Sequence, residues 1–146
     1  MIEKKKMSKL ESKEVKAFLF LKLADKDCLK IKKKLQDSNE CEQFLTDWFL
    51  ETQKCLGGVV NINSEQIKYF KSVFEEVIAE LFKNYIFKTL IGRVGELMSN
   101  DVGLNEVYRR IKQASSQALS DDEILAVVDI GGRLFRKTQK EFEQRK

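Results

Sequence analysis

The sequence predicts an all-α fold, a bundle or orthogonal array of five to six helices, and three observations carry that prediction. Apolar residues recur at three- and four-residue steps through most of the chain, the spacing of a helical face. Proline is absent, so helices can run long and must end at Gly, Asn, Asp or Ser. Capping patterns, polar residues set to accept from the first free N–H groups of a helix, precede the apolar stretches. At 146 residues, with 42% hydrophobic and 34% charged content, the chain reads as one globular domain, 1–146. Residues 1–8 read as a flexible basic tail.

Ser8 and Glu11 form the first capping box, followed by a helix over about 9–24. Its centre, Phe18-Leu19-Phe20-Leu21, places an apolar residue in every quadrant, because successive residues turn by about 100°. Such a helix is buried on all sides. The same stretch alternates aromatic and aliphatic residues, as a two-faced strand would. The near absence of β-branched residues favours the helix.

Asp25 and Asp27 can start a helix over about 26–36 with the sequence LKIKKKLQ. Asn39 is expected to cap the next, about 40–56, whose face comprises Cys41, Phe44, Leu45, Trp48, Phe49 and Leu56. Gly57-Gly58 stops it, since glycine reaches the left-handed conformation without a Cβ clash. VVNIN, 59–63, reads as an extended link. Asn63 or Ser64 then caps the longest expected helix, about 65–98, with an apolar stripe from Ile67 to Leu97. Unbroken, it would run on the order of 50 Å, so a bend is expected near Thr89–Gly95. A helix over about 103–118 follows, and Ser120 with Glu123 forms a second capping box.

That second box decides how LAVVDIGGRLFRK, 125–137, should be read. Four apolar residues, an Asp and two glycines resemble the phosphate turn of actin-like ATPases. That turn needs a strand leading into it and a hairpin partner after it, in a chain about twice as long. Here Ile124, Val127, Val128, Leu134, Phe135 and Phe142 stay in helical phase through Gly131-Gly132. The pair costs about 1 kcal/mol per residue against Ala in a helix, so a close helix crossing or a kink is expected there. Gly92-Arg93-Val94-Gly95 matches a nucleic-acid-clamping GxxG loop but lacks the accompanying sheet, and reads as a helix bend.

Histidine is absent, which removes Ser-His-Asp and Cys-His catalysis, HExxH zinc sites and a haem on a proximal His. Cys28, Cys41 and Cys55 contain no CxxC pair and read as small hydrophobes. Glu75, Glu76 and Glu80, and Asp121, Asp122 and Glu123, are grouped carboxylates in settings typical of surface ion pairs and caps. No catalytic residue, metal ligand or cofactor is expected, and the chain reads as a non-enzyme.

Two features remain. Ile86, Phe87, Leu90 and Ile91 extend beyond a single apolar stripe, and with Tyr85 they are the candidate protein interface. The partner would be another protein or a second copy of the chain, and the protein an adaptor, inhibitor or assembly subunit. The alternative is nucleic acid. Residues 1–34 carry 12 Lys against 5 acids, and Lys26, Lys30, Lys32, Lys33 and Lys34 are the candidate phosphate contacts. Arginine for base readout and interleaved aromatics for stacking are missing there. No run of apolar residues is long enough to span a membrane, and MIEKKK is followed by polar residues. An intracellular, cytoplasmic protein is expected.

Overall fold

Phe18, Leu19 and Phe20 lie at most 1% exposed at the centre of the first described helix, with Val15, Ala17 and Leu23 equally enclosed. A computed structural model describes residues 12–57, 63–99, 103–115 and 118–144, with side chains for all of these except Met98, Ser99 and 135–144. The helices are α1 Ser12–Leu23, α2 Cys28–Gln36, α3 Cys41–Leu56, α4 Ser64–Lys83, α5 Tyr85–Gly92, α6 Val94–Ser99, α7 Leu104–Ser115 and α8 Asp121–Gln144. No strand occurs among the described residues. The first capping box, the basic tail and most of the VVNIN link lie outside the described residues, as do the side chains of Phe135 and Phe142.

α1 is the hub. It packs most extensively along α8 and also touches α3, α4 and α5. A helix apolar on every face needs neighbours on every face, and the array supplies them. α2 and α3 lie on α4, where Phe44, Trp48 and Phe49 of α3 meet Phe70 and Phe74 at centroid distances of 5.1–5.8 Å. α6 and α7 lie against α8, and α5 against α7. Edge-to-face stacking of Phe20 on Phe87 at 5.2 Å joins α5 to the hub.

The expected count of five to six helices is corrected to eight among the described residues, mainly because the single helix over 65–98 does not exist. It is three helices. Asn84 ends α4 with φ −121° and ψ 84°, and its Oδ1 accepts from Phe87 N at 3.0 Å to start α5. Arg93 separates α5 from α6, inside the expected bend. The apolar stripe from Ile67 to Leu97 gives no sign of the break at Asn84, because apolar spacing continues across it. In an unbroken helix Tyr85 would fall within the buried arc of α4, between Leu81 and Ile78, and Phe87 about 20° past its edge at Glu80. The break turns Tyr85 outward and Phe87 inward, while Ile91, eighteen residues and five full turns after buried Val73, lies inward in either phase.

The local signals otherwise act as expected, with one exchange of roles. Asp27 caps α2, its Oδ1 accepting from Leu29 N and Lys30 N. Asp37, not Asn39, organises the start of α3, accepting from Asn39 N and Glu40 N. Gly57 ends α3 at φ 80°. Asn63 caps α4 through Gln66 N at 2.9 Å. Ser120 and Glu123 form a reciprocal box, Glu123 N donating to Ser120 Oγ and Ser120 N to Glu123 Oε1. α8 continues unbroken through Gly131-Gly132, and a Cβ on Gly131 would sit 3.0 Å from Val94 Cγ1 and 3.5 Å from Leu21 Cδ2. Val94 of α6 and Leu21 of α1 press against α8 at this glycine, so its role is packing.

Candidate functional site

The five apolar candidates divide between inside and outside. Phe87 and Ile91 are buried, at 0% and 2% exposure, in the central core. That corrects their place on an outward surface: Phe87 stacks on Phe20 of the hub, and Ile91 belongs to the same core. Leu90 is half-buried and packs on that core. Tyr85 and Ile86 stay 76% and 72% exposed, and Phe82, one turn earlier on α4, is 62% exposed. These three gather at the α4–α5 elbow. Phe82 falls within the span of the expected stripe from Ile67 to Leu97, yet it stands about 40° beyond Ile78, the edge of the buried arc of α4.

The elbow is firmly built. Asn84 caps α5 and also donates from Nδ2 to Ala114 O at 2.9 Å, fastening the turn to the end of α7. Lys88 Nζ donates to Ala24 O at 2.6 Å, fastening α5 to the α1–α2 corner. Buried Phe87 anchors it below. Two aromatic rings and an isoleucine are therefore held out in water by a backbone with little freedom to fold them away.

Beside the elbow, α2 and α4 enclose a cleft of about 320 Å³, lined by Cys28, Lys32, Leu35, Gln36, Glu75, Ile78, Ala79 and Phe82. Its floor is apolar, from Cys28, Leu35 and Ile78. Burial pushes the Cys28 thiol above its ordinary pKa, so it stays protonated and part of that floor. Gln36 and Leu35 also border a second depression with Ile67, Lys68 and Lys71, so α2 runs antiparallel to α4. The Cys28 end of α2 therefore lies by the elbow.

All five candidate lysines are exposed, but they do not form one row. The buried ridge of Cys28, Ile31 and Leu35 separates Lys32 from Lys34. Lys32 Nζ lies 5.9 Å from the Phe82 ring centroid, on the cleft side. Lys34 Nζ lies 5.7 Å from the Phe44 ring, on the opposite flank. Lys30 and Lys33 point outward between them, and Lys26, in the preceding turn, is 3.9 Å from Asp25 Oδ1. The two separate candidates thus meet: the lysine helix forms one wall of the cleft whose other wall ends in the exposed elbow.

Four of the grouped carboxylates, Glu76, Glu80, Asp121 and Glu123, pair with lysines. Lys16, on α1, has a side chain only 11% exposed and reaches Glu76 Oε1 at 2.6 Å and Glu123 Oε2 at 3.2 Å. Burial pushes an ammonium down, but hydrogen bonds and charge from Glu76 and Glu123 outweigh it and raise the Lys16 pKa. Such a lysine is a cation at neutral pH, not a base. Arg109 and Arg110 hold Glu106 down to about 2 through their hydrogen bonds to it. Among the described residues no group of three His, Cys, Asp or Glu side chains is placed to hold a metal ion. Nor is any described helix long and apolar enough to cross a membrane.

The described chain is therefore an all-helical array with an apolar elbow and a lysine-walled cleft. No protein-family model, curated protein or solved structure matches it.

Proposed function

We propose that this chain is a non-enzymatic, intracellular protein–protein interaction module, an adaptor, inhibitor or assembly subunit, acting through the α2–α4–α5 face. The observation that carries the reading is the exposure of Phe82, Tyr85 and Ile86 on a braced elbow beside an apolar cleft. Aromatic side chains have about 150–250 Å² each to bury, so Phe82 and Tyr85 leave on the order of 200–300 Å² in water. Ile86 adds to it, and a contiguous apolar patch of a few hundred Å² is often functional. Scattered elsewhere, Leu50, Leu104 and Leu125 are exposed singly, which is ordinary for a protein surface.

A photo-crosslinking amino acid at Ile86 tests this in the cells that make the protein, with the same group at Leu125 as control. A discrete adduct from position 86 and none from 125 is expected. Equal labelling from both positions, or none from 86, rejects the surface. The second reading, a nucleic-acid-binding subunit, is supported by the outward-facing Lys26, Lys30, Lys33 and Lys34. Binding of labelled nucleic acid that falls steeply with salt is what it requires.

A further inference from the structure

Resting on that reading, we infer that the occupant of the α2–α4 cleft is an acidic amphipathic helix of a partner protein. Its apolar face would lie on Phe82, Ile86 and the cleft floor, and its carboxylates against the α2 lysines.

Charge complementarity selects this occupant. α2 carries four lysines and no acid. Lys30 and Lys33 have no ion pair among the described residues and stand beside the cleft wall to which Lys32 belongs. Where α2 approaches the elbow, Leu29 is also exposed, one turn from Lys32, so apolar and cationic groups alternate along that wall. Lys32 already lies over the Phe82 ring, an arrangement that keeps the cation beside an apolar anchor and ready for a carboxylate. Glu75, the one acid lining the cleft, sits at its far end, two turns of α4 from Phe82.

Shape agrees with a helix. The cleft runs between two antiparallel helices, and grooves of that form take side chains spaced i, i+3, i+4 and i+7 from a third. A phosphate backbone would pair with the lysines but would gain nothing from Cys28, Leu35 and Ile78 beneath them. A basic helix would meet the α2 lysines with like charge.

The test uses the full chain and a fluorescein-labelled peptide of about 20 residues, long enough to hold a helix. Leucines form one face and glutamates and alanines the rest. A second peptide replaces every glutamate by lysine. Anisotropy is read at about 50 and about 300 mM salt, a range over which screening of exposed charges rises steeply. The glutamate peptide is expected to bind, to weaken at high salt, and to lose about tenfold or more in affinity on Phe82→Ala or Ile86→Glu. Both side chains are exposed, and circular dichroism confirms that each variant stays folded. Lys30→Glu with Lys33→Glu is expected to weaken the glutamate peptide and to reduce its salt dependence, Lys32 remaining in the cleft wall.

Equal binding of the lysine peptide through Phe82 overturns the acidic partner but keeps the interaction surface. Phe82-dependent dimerisation of the chain without peptide binding does the same, with a second copy as occupant. Binding of single-stranded RNA that is lost on Phe82→Ala, or no binding and no self-association at all, overturns both.

Discussion

Gly131 shows how much one missing Cβ can decide. The Gly131-Gly132 pair could be read from its setting as a helix under close approach, because the apolar phase continues on both sides and a capping box starts the helix. Which neighbours approach could not be read, since Val94 and Leu21 are distant in sequence. With Val94 Cγ1 3.0 Å from where an alanine Cβ would stand, Gly131→Ala should stay within about 1 kcal/mol of the parent, helix propensity opposing the tight contact. Gly131→Leu should cost about 1–3 kcal/mol through overpacking. Urea unfolding midpoints of the two variants check this. If leucine were harmless, the α6–α8 crossing would be looser than the structure shows.

At the scale of elements, the decisive feature is the Asn84 break. Its signal was present, a helix-capping residue three positions before Phe87, but a longer apolar periodicity overrode it. Periodicity measures phase and is blind to a reset that exchanges one buried set for another. Asn84→Ala removes the cap on Phe87 N and the bond to Ala114 O, and should lower stability by about 1–2 kcal/mol. Asn84→Asp retains the capping oxygen but turns a carboxylate toward Ala114 O and Glu80, so it should cost at least as much. Thermal melts of the two variants measure the difference. An Asp variant as stable as the parent would show that the α7 tether is unimportant. Elsewhere single residues sufficed: Asp27, Gly57, Asn63 and the Ser120–Glu123 box ended or began helices where their chemistry predicts.

Across the whole molecule, Lys16 joins three helices, since Glu76 belongs to α4 and Glu123 caps α8. Its pKa is raised above the ordinary 10.5 in the folded state. Its contribution to stability is therefore full below the ordinary lysine pKa and is lost as pH climbs through the folded value. Between about pH 7 and pH 11 the parent should lose more stability than Lys16→Met, the difference appearing only near and above 10.5. Denaturant titrations at stepped pH read that difference, and parallel curves would mean the triad contributes nothing. The sequence alone determined that the protein is all-helical, that a helix apolar on every side lies at its centre, and that most helices start and stop at named caps. Those properties depend on residues a few positions apart, whose geometry the backbone dictates. Only the tertiary structure decided that Phe87 and Ile91 turn inward while Phe82, Tyr85 and Ile86 remain outside, and that the lysines of α2 stand beside them. Contact between residues some fifty positions apart depends on how helices pack, and packing answers to every neighbour at once.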